Sequence, residues 1–312
     1  IDTKTGISDT SYKPLVLLNF ADIHNDASNL QRIVEFSTKY KAYLNDVFLN
    51  GDIAGGNWNQ FSEEINKILA NNKILCSIGN HDVYKYNNTS ENATAKQCYD
   101  RYFSNIAQWG VTEPSNNTTI GKCYYYKDYI SSGIRFIVLD CMHYDTEQND
   151  WLKSVLTSAI TSKLSVVIAQ HIAIKGPTSN DVEAYNVPFN SIDHQDAEAS
   201  NGGQFEAVKD FISNGGEFVT WLFGHTHSDF CGKIKDTTQN YIIVGGAQFN
   251  ANWNDTVRNS DDYSIDLFNV ISVDTKSKTI SIKRIGANYD RFLRRRNAMC
   301  INYKECSVVS FN

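Results

Sequence analysis

The seven cysteines (Cys76, Cys98, Cys123, Cys141, Cys231, Cys300 and Cys306) form no C-x-x-C pair, which argues against a cysteine-ligated zinc site. Long apolar runs are also lacking: the longest, such as Leu15 to Phe20, are strand-sized and fall far short of the roughly 18 residues of a membrane-spanning helix. There is no excess of positive charge, and a formal net charge of -6 disfavours whole-surface attraction to nucleic acid or anionic membrane. The one dense basic patch, Arg291 with Arg294, Arg295 and Arg296, reads as a solvated face, with anion binding as its alternative. Internal repeats and low-complexity tracts are absent. So is a starting methionine: the sequence opens on Ile1, and an upstream targeting segment would not be visible.

What is present is 312 residues at 41% hydrophobic content, enough for one large domain over 1–312 with a substantial interior. Cys76 and Cys141 lie inside apolar runs and read as buried thiols, whereas Cys98 with Cys123, or Cys300 with Cys306, are open to disulfide formation in an oxidising compartment. N-x-S/T sequons begin at Asn87, Asn88, Asn92, Asn116, Asn117 and Asn254, although an Asn-rich chain also produces them by chance. Secreted or periplasmic residence is slightly favoured over cytoplasmic on this ground.

From Leu15 onward apolar runs alternate with helical stretches, the pattern of βαβ units in an α/β fold. Strands are expected at Leu15 to Ala21, Val47 to Asn50 and Lys73 to Ile78, separated by helices at Ser28 to Leu44 and Trp58 to Ala70. Periodicity is then lost from Tyr84 to Lys122, which reads as a surface excursion. A strand pair (Cys123 to Ile130, Ile134 to Asp140), a helix (Asp150 to Thr161) and a strand (Ser165 to Gln170) follow. After a second irregular stretch, Ile172 to Gly203, come a helix at Gln204 to Ser213 and strands at Glu217 to Phe223, Tyr241 to Val244, Tyr263 to Val273 and Thr279 to Ile285. The stretches at 84–122 and 172–203 are candidate substrate loops.

Short polar clusters stand where the apolar strands end: Asp22-Ile23-His24, Gly51-Asp52, Gly79-Asn80-His81-Asp82, His171, and Gly224-His225-Thr226-His227. Strand C-termini in an open α/β sheet converge on one crevice, so these residues are expected to meet in space. Carboxylate and amide oxygens combined with imidazoles suit divalent Mn, Fe, Co or Zn. On an extended backbone, each D-x-H or H-x-H step would put both ligands on one side. Glycines at 51, 79 and 224 would let the backbone turn where a Cβ would crowd the ions.

In this order, the clusters resemble the signature of the calcineurin-like metallophosphoesterases: D-x-H, G-D, G-N-H-D/E, a lone H and G-H-x-H. The resemblance spans about Leu15 to Ile285 and implies a two-sheet β-sandwich flanked by helices, a four-layer fold, holding two adjacent divalent or mixed-valence metal ions. By the same resemblance Asp22, His24 and His227 bind the first metal, Asn80, His171 and His225 the second, and Asp52 bridges them. The implied reaction is hydrolysis of a phosphodiester or phosphomonoester through in-line attack by a hydroxide that the metals generate at neutral pH. His81 would protonate the leaving oxygen, oriented by a hydrogen bond to Asp82. Ile-Ala-Gly-Gly after Asp52 lacks the D-R-G triplet of protein serine/threonine phosphatases and the tyrosine of purple acid phosphatases, so the phosphodiesterase and nucleotidase branches are more similar.

A small phosphoester (nucleotide, sugar phosphate or lipid head group) is the expected substrate. Two rivals remain: a nuclease acting on polynucleotide, which the acidic charge disfavours, and a metal-containing binding or adaptor protein without turnover, which the complete motifs disfavour. Trp58, Tyr84, Tyr86, Trp109 and Trp253 are candidate stacking platforms, though aromatics are more often core. His143 and His194 lie outside the signature and read as surface histidines; His194, amid Asp193 and Asp196, is a possible substrate contact.

Overall fold

Three apolar runs buried along nearly their whole length open the chain, and strands covered on both faces pair in parallel. They form β1 (Leu15–Phe20), β2 (Asp46–Asn50) and β3 (Ile74–Ser77), joined by crossover helices α1 (Ala27–Lys39) and α2 (Glu63–Asn71). Short polar acceptors begin both helices: Asp26 accepts from the Asn29 amide at 3.1 Å, and Ser62 from the Ile65 amide at 3.1 Å. The computed structural model describes residues 12–85, 92–174, 182–184, 203–225, 231–235, 241–245, 267–286 and 298–311. The remaining elements are α3 (Ala95–Tyr102), α4 (Asn117–Ile120), β4 (Tyr125–Tyr129), β5 (Ile134–Val138), α5 (Thr146–Ser162), β6 (Ser165–Ala169), β7 (Val182–Ala184) and α6 (Gln204–Ser213). They continue with β8 (Phe218–Phe223), β9 (Cys231–Ile234), β10 (Tyr241–Gly245), β11 (Leu267–Asp274), β12 (Thr279–Gly286), β13 (Ala298–Asn302) and β14 (Ser307–Phe311).

The strands make two sheets, ordered β14-β13-β12-β11-β1-β2-β3 and β4-β5-β6-β8-β10-β9-β7. Parallel pairing is confined to β1-β2-β3 in the first and β5-β6-β8-β10 in the second, and antiparallel strands complete both. The sheets pack face to face, with Phe48 of β2 edge-on to Phe136 of β5 at 5.0 Å. A second apolar layer seats α5 and α6 on the outer face of the second sheet through Leu152, Leu156, Val208 and Phe211 against Val166, Ile168 and Trp221. The expected two-sheet sandwich flanked by helices is what forms.

Several expectations change. The stretch 84–122 is no surface excursion where it is described: α3 carries a capping box from Thr94 and Gln97, and Cys98, Tyr99, Tyr102, Phe103, Ile106 and Trp109 enter the main core. Its helical repeat runs for only eight residues, too short to stand out from the Asn- and Thr-rich flanks. Trp109 is therefore core and no stacking platform. The helix expected from Trp58 breaks at Phe61, whose extended backbone separates a 3-10 turn at Trp58–Gln60 from α2. Strands β7, β9, β13 and β14 had no sequence signal strong enough to register, being short or half-buried. All seven cysteines are free thiols, so neither proposed pair is bridged. Asn117 is buried and hydrogen-bonded to Glu113 and Lys122, which removes it as a glycosylation acceptor.

One ionic cluster ties the sheets together. Asp46 of β2 accepts from Lys127 Nζ at 2.7 Å and from the Tyr129 hydroxyl at 2.6 Å, both on β4, and pairs with Lys73 at 3.0 Å. Asp46→Ala would strand Lys127 in a largely buried position and is expected to lower the unfolding free energy by about 3 kcal/mol. Lys73→Ala, removing the half-exposed partner, should cost less than about 1 kcal/mol. Urea unfolding of both variants measures the contrast, and equal losses would refute the inter-sheet role.

Candidate metal centre

The C-terminal ends of β1, β2, β3, β6 and β8 open on one crevice, where Asp22, His24, Asp52, Asn80, His81, His171 and His225 converge. The loops there are zipped by main-chain bonds: the Asp22 amide donates to Gly51 O at 3.1 Å, His24 to Asp52 O at 3.0 Å, and Gly224 to His171 O at 2.8 Å. The two sheets meet at the base, where the ring nitrogen Nδ1 of His171 lies 2.6 Å from Asn50 O. His227, His194, Tyr86, Trp253 and the Arg291–Arg296 patch fall outside the described residues.

The backbone differs from the expected extended form. Asp22, His24, Asp52 and His225 all have positive φ, at 59°, 43°, 52° and 65°. The strands end before the donors, and left-handed turns aim them inward, a conformation that Asp, Asn and His tolerate better than other non-glycine residues. Glycine 51, at φ 76°, is required on two counts: a Cβ there would also stand 2.5 Å from His171 Nδ1.

Two overlapping sets of donors result. His24, Asp52 and His81 form one and Asp52, His171 and His225 the other, each with its ligand atoms within 4.8 Å of one another. Asp52 is common to both. Asn80 joins the second set, its Oδ1 lying 2.9 Å from His225 Nδ1. Asp22 accepts from the His225 amide at 3.1 Å and lies 3.9 Å from His171 Nε2. Nδ1–H of His24 is directed at Gly55 O (3.1 Å) and that of His171 at Asn50 O (2.6 Å), which fixes the orientation of both rings.

Charge makes the same demand. Asp22, Asp52, Asp82 and His171 are completely buried. Burial, reinforced by Asp52, raises the Asp22 carboxyl well above its ordinary range despite the opposing pull of His171. Burial would raise Asp52 as well, but the charge of His171, 3.2 Å away, holds it far below the carboxylate range. His171 is pushed up to about 10, the attraction of Asp52 and Asp22 overcoming its own burial. His171 Nε2 and Asp52 Oδ2 stand 3.2 Å apart without hydrogen-bond alignment and have no other hydrogen-bond partner. Buried acceptors in this arrangement, with imidazole and carboxylate donors, fit divalent cations.

The role expected of Asp82 does not survive. Its Oδ1 accepts from the amides of Ile53 (2.9 Å) and Ala54 (2.8 Å), and its Oδ2 from Gly79 (2.8 Å), so it braces the loop after Asp52 and never meets His81. Burial and the Asp52 charge push its carboxyl up to about 6 against the pull of those amides. His81 is oriented instead by Gly56 O, 3.0 Å from its Nδ1, and by the bond from its amide to Asp52 Oδ1 at 2.9 Å. Sequence reasoning missed the carbonyls of Asn50, Gly55 and Gly56; the Gly-Gly step after Asp52 was their one available signal, since backbone without Cβ approaches a ring closely. His143, expected at the surface, is mostly covered, with Nδ1 3.0 Å from Asp140 Oδ2 and Nε2 2.7 Å from Ala93 O.

A sequence profile described as calcineurin-like phosphoesterase matches residues 15–229, more than half of the chain. A comparison with curated protein sequences returns no match. Among solved structures, a dimetal phosphatase from Danio rerio is similar at TM-score 0.57 and 14% identity, over 93% of this chain and 100% of that one. A purple acid phosphatase from yellow lupin (Lupinus luteus) seeds is similar at TM-score 0.51 and 15% identity, over 89% of this chain and 53% of that one. At such identities the likeness speaks to the fold alone.

If Asp82 braces the loop, Asp82→Asn sets an amide donor against one of three backbone N–H groups and should destabilise by about 1–3 kcal/mol in urea unfolding. The His81 Nδ1–H signal in the NMR spectrum of the metal-free protein should stay in place. Loss of that signal with stability unchanged would restore Asp82 as the orienting group.

Proposed function

Because the chain belongs to the calcineurin-like phosphoesterase family, a class of hydrolases acting on phosphoric esters, we propose that its crevice hydrolyses a small phosphoester with a metal pair held around Asp52. The observation that carries this reading is the pair of donor sets sharing one fully buried carboxylate. His24 and Asp52 would hold one ion, with His227 added on the motif alone; Asp52, Asn80, His171 and His225 would hold the other. Asp22, between His171 and the His225 amide, supports the second group as much as the first. When bound, the metals supply a water acidic enough to ionise near neutral pH and positive charge for the phosphoryl oxygens.

The protein's own contribution centres on His81. Its side chain is 32% exposed at the crevice mouth, and its Nε2 lies 3.9 Å from Asp52 Oδ2. With Nδ1–H anchored on Gly56 O, the ring turns Nε2–H to the crevice beside Asp52, so this proton passes to the leaving oxygen and a neutral Nδ1–H tautomer remains. His24 packs edge-on against the His81 ring at 4.7 Å and limits its rotation. Donation from Nε2 matters most when the leaving group is a poor one such as an alkoxide. The net charge of -6 supports a small substrate over a polynucleotide.

The test uses metal-stripped protein reconstituted with Mn, Fe, Co or Zn and assayed on matched chromogenic phosphomonoesters and phosphodiesters. Asp52→Ala should abolish metal binding and turnover together. His81→Ala should retain metal yet lose roughly 100-fold or more in kcat with an alkyl leaving group, and much less with nitrophenolate. Wild-type rates in both purified variants would sink the assignment.

A further inference from the structure

The carbonyls that orient His24 and His81 belong to Gly55 and Gly56, two residues with no side chain to anchor their peptide planes. Something else must hold that turn. Within it, the Gly55 amide donates to Gln60 O at 3.3 Å and the Gly56 amide to Gln60 Oε1. Its outer end is held from α3. Arg101 places its guanidinium 3.3 Å from the centre of the Trp58 ring, donates from one Nη to Trp58 O at 2.5 Å, and lies 5.3 Å from the ring of Phe61. The Trp58 amide donates to Tyr84 O at 2.7 Å, which ties the same turn to the segment following His81-Asp82. Among the described residues no carboxylate lies within ion-pair distance of Arg101, and the neighbouring Asp100 is paired with Lys96. A planar, permanently charged group committed to a ring face and a carbonyl is a clamp of the kind that lysine reproduces poorly.

We propose that Arg101 is a positioning residue: by clamping Trp58 it fixes the 55–60 turn, so that the Gly55 and Gly56 carbonyls hold His24 and His81 in their working orientations. This rests on the reading of His81 as the donor of a proton to the leaving group. It also gives the segment around α3 a function at the crevice that needs no contact with substrate. Arg101 acts through the turn, two hydrogen-bonded steps from the histidines, and its removal should disturb orientation more than binding.

The experiment compares wild type, Arg101→Ala, Arg101→Lys and Trp58→Phe as reconstituted enzymes on phosphoesters with alkyl and nitrophenolate leaving groups. Arg101→Ala should lose roughly tenfold more kcat with the alkyl leaving group than with nitrophenolate, while KM moves little. Guanidinium added at sub-denaturing concentration should recover part of that loss, and Arg101→Lys should fall between wild type and Arg101→Ala. A second readout needs neither metal nor turnover: the His81 Nδ1–H of metal-free protein should exchange with solvent faster in the Arg101 variants. If Arg101→Ala does not fold, Arg101→Lys and Trp58→Phe carry the same comparison at smaller amplitude. Equal kcat losses across leaving groups, or exchange at the wild-type rate in every variant, overturns the clamp. A His81→Ala control without leaving-group dependence would instead overturn the role given to His81, leaving the exchange measurement to judge the clamp by itself.

Discussion

A carboxylate withdrawn completely from water is costly unless positive charge meets it, and Asp52 is such a carboxylate. The rest of the crevice is arranged around this constraint. His24, His81, His171 and His225 all place nitrogens within a few ångströms of it, and the His81 amide donates to it directly. Protein groups alone leave His171 holding a proton against its own burial, because two carboxylates face it. Cations seated between these donors would satisfy the same field, and a shared carboxylate would let two ions sit side by side.

Holding donors there requires backbone that most residues avoid. Four donors sit at positive φ, each on the order of 1 kcal/mol above the common conformations, and such strain persists only where the surroundings over-determine it. The surroundings are identifiable. Asp82 collects three amides from two loops, main-chain bonds zip the loop after β1 to the loop after β2, and Asn50 O receives the imidazole of His171 from the opposite sheet. Beneath them, strands buried on both faces and the Asp46 cluster keep the two sheets in register. The sandwich supplies rigidity, and the loops use it to keep polar groups in otherwise unfavourable positions.

Much of this was legible before any coordinates. Buried parallel strands show as uninterrupted apolar runs, and the ligand-bearing turns show as polar clusters directly after them, so the α/β class and the donors at the strand ends could be read together. The failures have physical causes. An Asp beside a His looks like an orienting partner, yet adjacent residues in a turn diverge, and Asp82 turned toward amides that sequence distance hides. The D-x-H step looked extended because the preceding strand was, but the chain bends at Asp22 itself. The 84–122 stretch looked loose because its helices are short, although its aromatic side chains fill the core.

Residue identity by itself determined the chemistry available at the crevice: hard oxygen and imidazole donors, no thiolate among them, placed in the order and at the strand ends that define the family. Only the tertiary structure decided which partner each donor meets. Hydrogen bonds from Asn50, Gly55 and Gly56 arise from main-chain carbonyls, which every residue carries and no sequence pattern marks, and they become specific only when sheets and loops bring them to a particular ring.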